Sequence, residues 1–359
     1  MTEQASATAL SPLAIDIVIC TYNRASCLDA VLATLALQTC NDGVRWSVLV
    51  VDNASTDTTA EVVAAHRATG RLSELLYVFE PTLGLTAARL RGARETTAPW
   101  IAFIDDDNFP DSNWLQSIAH AVAVHGDAGG IGGKVILDWE VPPPGYLREF
   151  GFCYAVQDHG AADCIVDSLA GAGMVLSRRA LRDSGWLDQP LVADRVGSKL
   201  TSGGDVEMVQ RVRAAGYDLW FVPDAVLRHR IPARRMTRRY LFRVIRELGS
   251  SSAVISLLTW PTDWSSWQQM AQDRRRYWYD LALRGLKWAI RRRAKSHASH
   301  CLDLPCPGLC PRSTAVPKAR CIGTRQVAGR RGVATASQGQ IHATGVGLRR
   351  LPRLHPASP

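Results

Sequence analysis

The chain of 359 residues lacks any apolar run near the ~18 residues that a helix needs to cross a bilayer; a stretch such as 253–258 falls far short. A spanning helix is excluded, and peripheral attachment is left. No signal-like segment shows in residues 1–12, and the nine cysteines include no paired Cys-x2-Cys. We therefore expect reduced thiols and a cytoplasmic chain, with the inner face of the cytoplasmic membrane as a second expected location. Residues 296–359 have no aromatic side chain and one acid, Asp303, and show neither helical nor strand periodicity. Such a segment buries too little apolar surface to offset its chain entropy, so a low-complexity, disordered tail is expected. Its Cys301, Cys306, Cys310 and Cys321 with His297 and His300 suggest zinc, but the missing knuckle pair argues against that reading.

The positive balance is unevenly spread. Residues 1–235 hold 20 Lys and Arg against 28 Asp and Glu, and the basic excess begins only at 236, with 13 against 4 over 236–295. The acidic region shows no basic groove with interleaved aromatics, so no nucleic-acid partner is expected. Over 236–295, Trp260, Trp264, Trp267, Trp278 and Trp288 alternate with Arg274–Arg276 and Arg291–Arg293. Two readings stand for this basic, tryptophan-rich helical extension: a peripheral membrane contact, or helices packed on the preceding region.

What is present is an alternation. Ile15–Cys20 reads as a buried strand closed by Thr21-Tyr22-Asn23-Arg24, 26–38 has helical spacing, and Ser47–Val51 is a strand ending in Asp52-Asn53-Ala54-Ser55-Thr56-Asp57. Helix 58–69, strand 75–80 and a helix opened by Leu83-Gly84-Leu85 follow, and then an apolar strand runs into Asp105-Asp106-Asp107. Alternating strands and helices call for a Rossmann-like α/β fold, a mostly parallel sheet covered on both faces, with ligands at the carboxyl ends of the strands. Three adjacent carboxylates repel one another unless solvent or a hard cation offsets them. Mg2+ or Mn2+ takes one or two carboxylates plus substrate phosphates, which implies a nucleotide diphosphate. A solvated acidic turn, with Asp111 capping the next helix, is the other reading.

Four motifs in this order resemble the family-2 glycosyltransferases of GT-A fold over roughly residues 13–235. They are Cys20–Arg24, Val51–Asp57, the Asp105–Asp107 triplet, and Ser202-Gly203-Gly204-Asp205-Val206-Glu207. The resemblance implies a nucleotide-sugar half at about 13–110 and an acceptor half at about 111–235, after a flexible 1–12 and before the extension 236–295 and the tail. It implies nucleotide contacts from Thr21, Tyr22, Asn23, Arg24, Asp52, Arg89, Asp105 and Asp106. It implies a divalent cation on Asp105 and Asp107 with His229 nearby, and an acceptor-side wall from Gly171, Ala172, Gly173, Gly204 and Glu207. Asp205 is the implied base.

Each role has a physical alternative. Asp52 suits a base imide N–H, or else an Asx-type turn with Asn53 and Ser55. Asp106 is the less certain ligand if strand alternation points it away from its neighbours. Arg89 reaches a phosphate or the Asp cluster, or else is a surface arginine. The family usually shows Glu-Asp where this chain has Gly204-Asp205, and on a helix Glu207 lies about 200° from Asp205. Arg234, Arg235, Arg238 and Arg239 could screen a leaving diphosphate. The expectation is a metal-assisted, inverting transfer from a nucleotide-diphosphate sugar to a saccharide or lipid-linked acceptor, in polysaccharide or glycolipid assembly of the cell envelope. The rivals are an inactive nucleotide-sugar-binding regulator, encouraged by Gly204, and a sugar nucleotidyltransferase. The latter would need a glycine-rich loop that Thr21–Arg24 lacks.

Overall fold

The computed structural model describes residues 13–41, 43–195 and 202–255, with single residues at 268, 269, 272 and 275. The chain divides into two units, Met1–Leu281 and Ala282–Pro359, and every described residue lies in the first. The expected flexible start, the tryptophan-rich stretch after 255 apart from those single residues, and the tail with its zinc reading lie outside the described residues.

The first half follows the predicted alternation: β1 (Leu13–Thr21), α1 (Ala25–Leu35), β2 (Val44–Asp52), α2 (Thr59–Thr69), β3 (Leu75–Phe79), α3 (Leu85–Glu95) and β4 (Trp100–Asp105). Strand β1 is the centre of this half, pairing in parallel with β2 and β4, while β2 pairs in parallel with β3. Ile15, Ile17 and Ile19 face one way, onto Leu28, Val31, Leu32 and Leu35 of α1. Val18 and Cys20 face the other way, towards Ala88 and Ala93 of α3. Burial on both faces is why these strands read as continuous apolar runs rather than alternating ones. Helix α1 ends at Leu35 instead of reaching residue 38, because Gln38 and Thr39 turn away to bond the backbone at Asp111, Leu115 and Ser112.

The second half is mixed. It comprises β5 (Asn108–Pro110), α4 (Trp114–Val124), β6 (Gly130–Trp139), a 3₁₀ segment (Gly145–Tyr154), β7 (Cys164–Val166), β8 (Met174–Ser177), α5 (Arg178–Asp183), α6 (Gly204–Ala214), β9 (Leu219–Ile231) and α7 (Arg238–Ile255). The sheet order is β3-β2-β1-β4-β8-β6-β9-β5, with β7 also on β9. Antiparallel β8 joins β4 to β6, so the parallel half carrying the Asp triplet is continuous with the half carrying β9. Helix α7 seats Leu241 with Leu147, Tyr154 and Ile231 in a third core cluster. It also closes on the start of α6: a Cβ at Gly203, where φ is +125°, would lie 2.9 Å from the Ser251 Cβ. This first part of the 236–295 extension is therefore packed helix. Among the described residues no helix is long and apolar enough to cross a membrane.

The register of β6 on β9 jumps between Gly133, opposite Val222, and Lys134, opposite Val226. A Cβ on Gly133 would collide with the Ala225 carbonyl, which is backbone and has nowhere to go. Gly133→Ala should therefore cost at least ~2 kcal/mol of stability, whereas Gly145→Ala, with nothing within 4 Å, should stay within ~0.5 kcal/mol. Chemical denaturation of both variants checks this, and equal midpoints would refute the bulge argument.

Candidate active site

The carboxyl ends of β1 and β4 and the start of α6 border a crevice of about 1010 Å³. Three loops on its parallel side are stitched by two asparagines. Asn23, at φ 51°, accepts from the Thr56 N–H at 2.7 Å, and its own N–H donates to Ser55 Oγ at 2.9 Å. Asn53 donates to the Glu80 and Thr82 carbonyls and accepts from the Gly84 N–H at 2.8 Å. These bonds bring the turns after β1, β2 and β3 together, so Thr21, Tyr22 and Arg24 line the crevice. Asn23 itself does not line it, so its place is in the stitching rather than on the expected nucleotide wall.

Asp52 is also set behind the wall. It is 3 % exposed, with one carboxylate oxygen accepting from Tyr77 Oη and the other from the Ser55 N–H, both at 2.8 Å. Its bond to the Ser55 N–H is the Asx-type turn, and Asp52 does not line the crevice. Loss of solvent around Tyr77, followed by its bond to Asp52, pushes that phenol up to about 12.

The Asp triplet is compensated from elsewhere in the chain. Arg24 Nη1 lies 2.7 Å from Asp106 Oδ1 and 2.9 Å from Asp107 Oδ2, and Arg235 Nη1 lies 2.8 Å from the same Asp107 oxygen. Thr21 Oγ1 donates to Asp106 at 2.8 Å. Residues 106 and 107 occupy a turn between β4 and β5, so strand alternation does not separate them and both meet Arg24. Burial pushes the Asp106 carboxyl up, against the pull of Arg24. Burial also works to raise Asp107, but His229, Arg235 and Arg24 overcome it and hold that carboxyl below its usual range. Asp105 is the open member, with its side chain 34 % exposed against 7 % and 6 % for its neighbours.

Arg89 is not at the surface. It is 3 % exposed, with Nη2 3.4 Å from Asp105 Oδ1 and Nη1 3.8 Å from Asp194 Oδ2. Its surroundings oppose one another: burial works against its charge, and Asp105, Asp205 and Asp194 restore it with a net upward shift. Asp194 is not visible as a site residue in the sequence, because residues 188–201 carry no periodicity and no motif. Burial lifts it to about 6 against the pull of Arg89, with Asp205 adding to the rise.

On the acceptor side, Gly171, Ala172 and Asp205 line the crevice, while Gly173, Gly204 and Glu207 do not. A Cβ on Gly171 would sit 2.9 Å from the Asp205 Cβ, so the glycine lets the loop close on that carboxylate. Gly173, at φ +73°, turns the chain into β8. Gly204 begins α6 and donates its N–H to Asp194. Glu207 is fully buried, accepting from the Leu191 and Val192 N–H groups at 2.7 Å and from Arg211 at 2.8 Å. The helix turns it away from Asp205, and it holds the loop at 191–192 instead.

His229 lines the crevice with Nε2 3.5 Å from Asp107 Oδ1. Its Nδ1 lies 2.8 Å from the Tyr154 carbonyl, which can only accept, so Nδ1 carries a proton. Among the described residues no three His, Cys, Asp or Glu side chains converge on one point. Asp105, Asp107 and His229 all line the crevice, however, with His229 beside Asp107. A hard divalent ion that uses one or two carboxylates and completes its shell with phosphates and water fits that donor set.

Two family models match: glycosyl transferase family 2 over residues 16–183, and glycosyl transferase family group 2 over residues 100–298. A validoxylamine A glucosyltransferase of Streptomyces hygroscopicus is 41 % identical over 133 residues, which is 36 % of this chain and 29 % of that protein. The glycosyltransferase AglE of Haloferax volcanii is 28 % identical over 226 residues, 61 % of this chain and 67 % of its own length. Among solved structures, the mannosyltransferase PcManGT from Pyrobaculum calidifontis in complex with GDP-Man and Mn2+ aligns at 20 % identity and a TM-score of 0.48, over 65 % of this chain and 61 % of that one. The second model alone covers more than half of the sequence, and it joins the Asp triplet to Asp205 in one match: the chain belongs to glycosyltransferase family 2.

Proposed function

We propose that the chain transfers a sugar from a nucleotide-diphosphate sugar to a hydroxyl of a saccharide or lipid-linked acceptor, with inversion and with Mn2+ or Mg2+, in glycan or polysaccharide assembly. The observation that carries this reading is the convergence of two acidic sets on one crevice: Asp105–Asp107 from the end of β4, and Asp205 from the first turn of α6. The volume of about 1010 Å³ suits a nucleotide sugar together with part of an acceptor.

Thr21, Tyr22 and Arg24 bind the nucleotide side. A diphosphate entering beside the Asp triplet adds negative charge where Arg24 and Arg235 already stand, and these guanidiniums can share themselves between carboxylate and phosphate. The cation, held by Asp105 and Asp107 with His229 beside them, supplies charge that stabilises the leaving diphosphate. Gly171, lacking a side chain, lets its loop lie against Asp205, and both line the crevice on the acceptor side. The acceptor oxygen bonds to the anomeric carbon on the face opposite the diphosphate while the sugar–diphosphate bond breaks, and Asp205 takes the hydroxyl proton.

Transfer and donor hydrolysis should stop in excess chelator and return with Mn2+; full activity in chelator would remove the metal from the proposal. Asp107→Ala should abolish metal-dependent donor binding and transfer, whereas Asp106→Ala, which loses the contacts to Thr21 and Arg24, should be milder. Equal losses would mean that the ligands are assigned wrongly. Asp205→Asn should lower kcat by about 10²-fold or more while leaving donor affinity nearly unchanged, as for loss of a general base. Steady-state kinetics with a nucleotide-sugar panel reads this, and near-normal transfer by the variant would take Asp205 out of the mechanism.

A further inference from the structure

The buried carboxylate that this mechanism leaves unused is Asp194. It is 2 % exposed, and its Oδ1 is buried without a hydrogen-bond partner. Its Oδ2 accepts from the Gly204 N–H at 3.3 Å and lies 3.8 Å from Arg89 Nη1. That nitrogen is itself buried without a hydrogen bond. The backbone of Asp194 is clamped on both sides: its N–H donates to Thr86 Oγ1 at 3.1 Å, and its carbonyl accepts from the Leu85 N–H at 2.8 Å. Thr86 also donates to the Val192 carbonyl at 2.8 Å. An acid fastened to the start of α3 is thus pressed against the start of α6, one residue from Asp205.

Gly204 makes this contact physically available. A Cβ there would lie 3.0 Å from Asp194 Oδ2 and 3.3 Å from Thr86 Oγ1, so the carboxylate of Asp194 fills the space a side chain at 204 would take. Taking an acid out of water at this depth is costly unless a charge and hydrogen bonds compensate it. The arrangement is nevertheless built, with Arg89 shared among Asp105, Asp194 and Asp205.

We propose that Asp194 is a positioning residue for Asp205, holding Arg89 back from it and fixing the first turn of α6 so that the base stays free to accept a proton. The proposal rests on the reading of Asp205 as the base. With Asp194 ionised, part of the Arg89 charge is committed to it. Without that charge, Arg89 is shared by Asp105 and Asp205 alone, and a neighbouring cation makes a carboxylate a poorer base. Asp194 need not touch either substrate to act in this way.

The test uses the full chain and three variants beside Asp205→Asn. Asp194→Asn keeps the shape and the acceptor for the Gly204 N–H and removes only the charge. It should lower kcat about tenfold with the donor KM unchanged and the melting temperature within two degrees or so of the parent. Asp194→Ala should lose at least as much, and Asp194→Ala combined with Gly204→Glu, which returns an acid to the same space, should recover part of the lost kcat. Parental kcat in Asp194→Asn would overturn the proposal. So would a loss of kcat that tracks the melting temperature and is not recovered by the double variant, since that pattern marks a merely structural residue. If Asp205→Asn keeps its activity, the base assignment itself fails; if Asp205→Asn is inactive and Asp194→Asn is not, only the positioning role does.

Discussion

A crevice walled by Asp105, Asp106, Asp107, Asp194 and Asp205 would repel itself apart without cations inside it. Arg89 and Arg24 are the interior charges on which the rest depends. Each is largely removed from solvent, and each spans carboxylates delivered by different parts of the sequence. A buried guanidinium must be matched or it destabilises the fold, and its planar fork allows it to serve several acids at once. The same compensation prepares the site for a ligand of one charge type. On the proposed function, a diphosphate would take the place of carboxylate partners of the arginines rather than enter a neutral cavity, so donor binding would exchange partners instead of burying new unpaired charge.

That arrangement requires the loops to be held without help from the ligand. Asn23 and Asn53 join the turns after β1, β2 and β3, and Asp57 accepts from the Ala25 N–H at 2.9 Å, capping α1 from the neighbouring loop. On the other half, Glu207 and Arg211 secure residues 189–192 to α6, and Thr86 secures residues 192–194 to α3. Helix α7 closes over Gly203. The carboxylate of Asp205 therefore rests on a helix that two neighbouring segments press into place. Several residues that resemble parts of a catalytic motif, among them Asn23, Asp52 and Glu207, spend their polar groups on this framework. A motif records which residues recur together, and recurrence arises from holding a loop as readily as from touching a substrate.

The sequence by itself determined the parallel half of the sheet, its strand-end loops and the acidic turn. Local apolar periodicity specifies strands and helices, and their alternation calls for parallel strands joined by right-handed crossovers, while the order β3-β2-β1-β4 comes from the tertiary structure. It also determined that Glu207 and Asp205 would diverge, since 3.6 residues per turn settles that without tertiary contacts. Only the tertiary structure decided which charges meet. Arg24 and Asp107 are 83 residues apart in sequence, Arg235 and Asp107 are 128, and the loop at 194 reaches Thr86 across 108. No periodicity or spacing encodes such pairs, because they depend on where the sheet order places β4, β9 and the starts of α3 and α6. For the same reason Asp52, which looks in sequence like an open strand-end carboxylate, is closed by a tyrosine on β3. Asp194, in a stretch without pattern, accepts from the Gly204 N–H at the start of α6 because the fold brings it there.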